Sequence, residues 1–280
     1  MSKVWFITGC SKGFGKVLVE ELLQHTNACV VATARDVKTI EHFAKQYPAR
    51  VCALSLDVTK TSDITSAVEV AIKQFHRIDI LVNNAGYGLV GAIEECSIQD
   101  IRAVFDTNVF GLIEVTKAIL PHMRAQSSGH IFNISSIAGL RAGAGYAPYS
   151  GTKFAVEGIS EALALDVEGF GIKVTLIEPG PFRTDFAGDS IKIADPHPDY
   201  KNSKAFAVRE YLSKMNNNQP GDPVKAVKII IQVSEMRKPP LRLLLGSIAL
   251  ERMHAKLEYF TSEMREYEAL TKSADYDDQE

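Results

Sequence analysis

Tyr149 and Lys153 stand one helical turn apart in the stretch Tyr149-Ser150-Gly151-Thr152-Lys153, where a helical pattern begins. Residues i and i+4 share a helix face, with Cβ atoms roughly 5–6 Å apart. A free phenol loses its proton only near pH ~10, and a fixed ammonium beside it favours the phenolate and lowers that value. The pair could therefore pass a proton to or from a bound oxygen near neutral pH. The same spacing also decorates solvated helix faces, so its meaning depends on what surrounds it. Ser136, with Ser135, closes the strand-like run from His130 to Ile134, where a hydroxyl could donate to a substrate oxygen or simply fill a turn. Asn108 lies among Val104, Phe105, Val109 and Leu112, so the protein must satisfy its amide, by a structural bond or within a polar network. No His–acid pair accompanies the serines, which argues against a hydrolase triad.

Such residues need a scaffold, and the N-terminal half reads as one. Val4-Trp5-Phe6-Ile7 is a short buried strand, followed by Thr8-Gly9-Cys10-Ser11-Lys12-Gly13-Phe14-Gly15 and an amphipathic helix carrying Val17, Leu18, Leu22 and Leu23. Strand, glycines and helix in that order form a phosphate cradle. Gly9 permits the tight turn, Gly13 lets backbone approach a pyrophosphate, Gly15 permits close helix–strand packing, and the helix N-terminus presents unpaired N–H groups. The next strand, Ala28 to Thr33, leads to Ala34, Arg35 and Asp36, where dinucleotide folds read the adenosine ribose. An arginine there pairs with the 2′-phosphate of NADP, whereas a carboxylate holds the 2′-hydroxyl of NAD. With Lys12 as a second cation the reading favours NADP, and Asp36 keeps NAD open.

Helix and strand then alternate. Val37 to Tyr47 and Thr61 to His76 read as helices, Val51 to Leu56 and Ile78 to Val82 as strands. A parallel sheet with helices on both faces follows, with its binding crevice at the strand C-termini. Asp57 and Asn83-Asn84-Ala85-Gly86 stand at that edge; Asp57 is a turn or cap residue before Thr61, or a contact to an adenine amino group. A long helical region runs from Ser97 to about Gln126, interrupted near Pro121, and a later helix from Ser150 to Glu168. The strand from Ile172 to Ile177 ends in Glu178-Pro179-Gly180-Pro181-Phe182-Arg183-Thr184.

The bulk numbers agree with one α/β domain spanning 1–280, since 280 residues at 46% hydrophobic content can build one large core. A formal charge of −3 without a basic run leaves no field for nucleic acid. Four scattered cysteines read as free thiols in a reducing compartment, and seven histidines without ligand spacing point to no metal. Met1-Ser2-Lys3 runs straight into a strand, and no apolar run approaches the ~20 residues of a membrane span, so a cytoplasmic protein without a signal peptide is expected.

Taken together, Thr8-Gly-x-x-x-Gly13-x-Gly15, Asn83-Asn-Ala-Gly86, Asn108, Ser136, Tyr149-x-x-x-Lys153 and Pro179-Gly180 resemble the short-chain dehydrogenase/reductase family over about residues 3 to 185. The resemblance implies a doubly wound Rossmann fold with a seven-stranded parallel sheet, and hydride transfer between nicotinamide C4 and a carbonyl or carbinol carbon. It makes Tyr149 the general acid/base, has Lys153 lower its pKa and hold the nicotinamide ribose, has Ser136 hold the substrate oxygen, and has Asn108 fix a water in the proton relay. Cofactor contacts fall on Gly9, Ser11, Lys12, Gly13, Phe14, Gly15, Arg35, Asp57, Val58, Asn83, Ala85, Gly86, Pro179, Gly180, Phe182 and Thr184, besides Tyr149 and Lys153. Phe182 departs from the Val or Ile more usual there. The segment from Asn83 to Val90 and the long C-terminal region look like the hydroxysteroid and retinol dehydrogenase-like branch.

The rest of the chain adds a pocket and an interface in that reading. Residues 185–220 exceed a simple crossover and, with Phe186, Phe206 and Tyr211, read as a substrate lid. The helix from Ser150 is apolar on more than one side, which fits a homodimer or homotetramer. Asn216 to Gly221 punctuates the chain, Asp222-Pro223 starts a helix through about Glu235, and Leu241 to Leu245 is a last strand. Ser247 caps a helix to about Leu270, and 273–280 form an acidic, disordered tail. The function expected is NADP(H)-preferring oxidoreduction of a small ketone, aldehyde or secondary alcohol. The alternatives are a nucleotide-retaining epimerase or dehydratase, or an NADP-binding sensor without turnover.

Overall fold

The computed structural model describes residues 2–188, 190–215 and 218–276. Among them are strands β1 (Val4–Ile7), β2 (Cys29–Ala34), β3 (Val51–Ser55), β4 (Ile80–Asn83), β5 (Gly88–Val90), β6 (Gly129–Ile134), β7 (Ile172–Pro179), β8 (Ile191–Ile193) and β9 (Arg242–Leu245). The helices are α1 (Gly13–His25), α2 (Glu41–Gln46), α3 (Thr61–Phe75), α4 (Ile98–Phe105), α5 (Gly111–Ala125), α6 (Ala147–Val167), α7 (Lys204–Met215), α8 (Pro223–Ser234), α9 (Ser247–Glu266) and α10 (Glu268–Lys272).

Seven strands form one sheet in the order β3-β2-β1-β4-β6-β7-β9, every pair parallel. Side chains alternate across a strand, so β1 feeds two cores. Trp5 and Ile7 pack with Leu18 and Leu22 of α1 and Val227 and Ile230 of α8. Val4 and Phe6 pack on the opposite face with Ile64 and Val68 of α3 and Val115 and Ile119 of α5. Helices therefore cover both faces, as in a Rossmann fold, and the strand C-termini converge on one edge. β5 and β8 form a separate two-stranded parallel ladder beyond that edge, which the sequence reading missed.

Several local expectations change. The helix expected over Val37 to Tyr47 is a 3₁₀ turn at Val37–Thr39 followed by the short α2; the Asp36 carboxylate accepts from Lys38 N and starts the tighter turn. The long helix from Ser97 breaks at a π-helical turn, Asp106–Phe110, and not at Pro121. Pro121 sits inside α5 because Ile119 and Met123, both fully buried, pin the helix on either side of it, and packing outweighs the lost N–H. Asp222 does cap α8, accepting from Val224 N and Lys225 N. Ser247 is the first residue of α9 and caps nothing; Gly246, at φ 87, makes the bend before it. Residues 273–275 follow α10 in hydrogen-bonded turns, while 277–280 of the tail expected to be disordered, like Asn216 and Asn217 of the punctuating stretch, lie outside the described residues.

Candidate active site

A cavity of about 1040 Å³ opens where the strands of the large sheet end. Its floor runs from Arg35 and Asp57 beyond β2 and β3, past the glycine turn after β1, to Ser136 after β6 and Pro179 to Thr184 after β7.

The glycine turn has the shape its sequence implies. Gly9 and Gly13 adopt φ 71 and 59, values that side chains rarely tolerate. A Cβ at Gly13 would meet nothing within 4 Å, so that backbone stands open to the cavity together with Ser11, Lys12 and Phe14. A Cβ on Gly15 would lie 2.4 Å from the Gly9 carbonyl oxygen, so its absence lets α1 start hard against the turn; Gly15 itself does not line the cavity. Asn84 locks the turn from the next strand, donating through Nδ2 to the Thr8 and Gly9 carbonyls at 2.9 Å each. This open backbone cradle at a helix N-terminus fits a pyrophosphate.

Two cations border the far end of the cradle. Lys12 and Arg35 line the cavity, and among the described residues neither side chain has a hydrogen bond or ion pair. The Asp36 carboxylate is occupied in capping the Val37–Thr39 turn and does not line the cavity. Asp57 lines it beside Val58 while accepting from Thr59 N and Oγ1. Burial pushes the Asp57 carboxyl up, but Thr59 and the charges of Lys60 and Arg35 outweigh that and hold it below its ordinary value.

At the other end Ser136, Tyr149 and Lys153 meet. Tyr149 is 6% and Lys153 7% exposed, both on the first turns of α6. Burial pushes the Tyr149 phenol well above its ordinary value, a hydrogen bond with Ser136 pulls against it, and Tyr146 adds to the rise. The Lys153 ammonium lies 5.8 Å from the Tyr149 ring centroid and donates to the Ile134 carbonyl at 2.7 Å. Burial pulls that ammonium down to about 8, while Glu157 one turn along raises it. The expected lowering of the phenol by the lysine is thus not met: burial dominates, and the amine is directed to a backbone carbonyl. The folded chain holds the proton on Tyr149 at neutral pH, as a general acid requires.

A buried acidic pair backs this corner. Glu157 accepts a hydrogen bond from Ser135 and lies 3.4 Å from Arg242, whose guanidinium is 3.6 Å from Glu178. Burial raises both carboxyls, and contact with Glu157 raises Glu178 further, because two adjoining carboxylates in a dry site do not both ionise.

Besides Gly15, two expected site residues do not line the cavity. Asn83 points into the core, its Nδ2 donating to Thr116 Oγ1 and Asn133 Oδ1 at 2.9 Å, so Ala85, Gly86 and Asn84 form the wall in its place. Strand alternation explains this: the last residue of β4 turns inward. Asn108, in the π turn, is 2% exposed and does not line the cavity. It accepts from Tyr87 N and donates to Tyr87 O and Thr152 Oγ1, so its side chain acts as a brace and leaves no free N–H for a relay water. A Cβ on Gly86 would come within 3.0 Å of its Oδ1.

Pro179, Gly180, Phe182 and Thr184 line the cavity as expected. The Phe182 ring packs edge-on against Phe14 at 5.3 Å and covers Gly221. Beyond them stands a wall from residues 185–220, with Phe186, Val208, Leu212 and Met215, joined by Tyr146 and Arg252. Gln219 also lines the cavity; the sequence showed it only as part of a turn-like run.

The comparisons with known proteins agree with this geometry. The pattern of the short chain dehydrogenase family matches residues 3–193. The chain is a short-chain dehydrogenase. Its relatives include the 3-ketodihydrosphingosine reductase of Bacteroides thetaiotaomicron, 36% identical over 248 residues that cover 88% of each chain. A crystal structure of a short-chain dehydrogenase from Streptomyces avermitilis superimposes with a TM-score of 0.92 at 38% identity, covering 99% of this chain and 100% of that one. ElxO with NADP bound superimposes with a TM-score of 0.73 at 28% identity, covering 90% of this dehydrogenase and 100% of ElxO.

Proposed function

We propose that this dehydrogenase reduces a small apolar ketone or aldehyde, or runs the reverse oxidation of a secondary alcohol, with NADP(H) preferred over NAD(H). One observation carries the reading: Ser136, Tyr149 and Lys153 converge on the same cavity as an open glycine cradle. A bound nicotinamide dinucleotide would supply or accept the hydride. The cradle's backbone would hold its pyrophosphate, and Lys12 and Arg35 would hold a 2′-phosphate that Asp36, occupied as a cap, does not oppose. The NADP in the ElxO structure supports the same preference.

At the reacting end each residue has a separate task. Ser136 donates a hydrogen bond to the substrate oxygen and orients it. Tyr149 passes its proton to that oxygen as negative charge develops there. Lys153, cationic below about pH 8, stabilises the phenolate left behind. Asn108 holds Tyr87 and Thr152 in register around them. The apolar lid wall favours a substrate with a hydrocarbon body, in keeping with the name of the Bacteroides relative.

The single large sheet supports reading 1–280 as one domain. Four free thiols support a cytoplasmic setting, and among the described residues no helix is long and apolar enough to cross a membrane. Phe110, Phe154 and Leu165, exposed by 56%, 45% and 75% around α5 and α6, support a homodimer or homotetramer; a monomeric mass by light scattering would remove that part.

The activity is tested by following NADPH absorbance against a panel of apolar ketones. Turnover of at least one ketone by the wild type, lost in Tyr149→Phe, is expected. Wild type and variant both inert while still binding NADPH would replace the enzyme reading with a sensor.

A further inference from the structure

Six cationic side chains line the cavity against one carboxylate, Asp57, in a chain whose formal charge is −3. Four of the six have a task or a partner. Lys12 and Arg35 border the far end of the cradle, Lys153 stands beside Tyr149, and Lys192 is ion-paired with Asp100 at 2.5 Å. Arg141 and Arg252 are left. Both are exposed, and among the described residues neither guanidinium has a hydrogen bond or an ion pair.

The fold sets these two arginines at the reacting end. Arg141 follows the Ile137–Gly139 turn that begins just after Ser136, its backbone N–H donating to the Ile137 carbonyl at 2.9 Å. α9 packs against the same turn and starts hard against the residue after β7, since a Cβ on Gly180 would lie 3.2 Å from Ala249 N. Arg252 comes three residues after Ala249 and so shares its helix face. Its charge reaches Tyr146: burial pushes that phenol up to about 12, Tyr211 adds to the rise, and Arg252 pulls against both. The Tyr146 ring in turn lies 6.3 Å from the ring of Tyr149.

The wall beside them is apolar. The Phe186 ring lies 5.6 Å from that of Tyr149, and Val208, Leu212 and Met215 continue the surface. A substrate with its carbonyl at Ser136 and Tyr149 lays its body along this wall. A purely hydrocarbon body would leave both guanidiniums to water, whereas an oxyanion at its far end matches their planar forks and is drawn in by the cavity's excess positive charge. We propose that the substrate is an amphipathic carbonyl compound, a hydrocarbon body with an oxyanion remote from the carbonyl, and that Arg141 and Arg252 bind that oxyanion. This deepens the ketone reading above and rests on it.

The test gives the full chain three methyl ketones that end in a carboxylate, 5-oxohexanoate, 7-oxooctanoate and 9-oxodecanoate, each beside its neutral methyl ester. For at least one length the wild-type kcat/KM should favour the acid by about tenfold, the worth of a charge-assisted hydrogen bond in a water-screened site, with the difference in KM. The preference should shrink as salt is raised to ~0.5 M. In the double variant Arg141→Gln/Arg252→Gln the ratio should fall to about one, with NADPH affinity and melting temperature as in the wild type. Acid and ester reduced alike by the wild type at every length, or a preference that survives in the variant, would overturn the proposal. So would a loss of NADPH affinity as large as the loss of preference, which would give the arginines to the cofactor. Decanoate and decyl phosphate, as competitors of the preferred acid, separate the two sources of an oxyanion: the stronger competitor names it, and competition by neither would overturn the proposal. A chain that binds NADPH yet reduces neither acid nor ester would remove the ketone reading. Calorimetry of decanoate and decyl phosphate on the NADPH-loaded chain then decides the arginines alone, with binding about tenfold weaker in the double variant if they hold the oxyanion and equal in both proteins if they do not.

Discussion

The two ends of the cavity hold positive charge in opposite ways. Arg35 is exposed and Lys12 half-buried at one end, where water screens them and keeping them charged costs little. Lys153 at the other end is 7% exposed, and burial has pulled its pKa from 10.5 to about 8. A chain can carry exposed cations without consequence for its stability. A buried one is retained against a penalty, so its presence points more strongly to chemistry.

The largest effect that tests this contrast belongs to the buried end. Tyr149→Phe should lower kcat by ~10³-fold, within the range for loss of a general acid, while NADPH binding by fluorescence titration changes little. A fall in kcat of less than about tenfold would place the proton donor elsewhere.

Lys153→Met should separate activity from stability. We expect kcat to drop by ~10²-fold, yet chemical denaturation at pH 7 should show equal or greater stability, by up to ~3 kcal/mol, the order of the cost of keeping charged an ammonium that burial has pulled from 10.5 to about 8. The sign follows from proton binding. Between about pH 8 and 10.5 the unfolded chain keeps a proton that the folded chain has lost, so wild-type stability should climb across that window through this group. The variant should lose that climb. In the same range the wild-type reduction rate should fall, as the cation supporting the phenolate discharges. A destabilised variant would mean that the ammonium is chiefly structural.

The smallest effect belongs to the exposed end. Arg35→Ala should weaken NADP by ~10- to 100-fold, the worth of a charge-assisted hydrogen bond or two, and leave NAD nearly unchanged and folding untouched. Equal weakening of both cofactors would take the 2′-phosphate away from Arg35.

Much of this was legible in the residues. All seven strands of the large sheet announce themselves as short apolar runs, because strands covered on both faces need little polar alternation. Glycines with open backbone, Tyr149 and Lys153 are likewise visible, since each does something that few other residue types can. What escaped detection depends on geometry. Asn83 and Asn84 are identical in type, and only the pleat decides which faces inward. The π turn at Asp106–Phe110 leaves no compositional mark, and Pro121 drew the eye to the wrong place. Gln219 is polar and ordinary until its surroundings show that, among the described residues, its side-chain amide has no partner.

The β5–β8 ladder has a mechanical corollary. Residues 191–193 are stitched to 88–90, and Tyr87 just before them is grasped at both N–H and carbonyl by Asn108. Residues 185–220 are consequently not a free flap. Their strand portion can travel only by dragging residues 87–90 or by unzipping from them, and α7 is held to the end of the same ladder, where Arg209 donates to the Ala194 carbonyl and to Glu95 at 2.9 Å each.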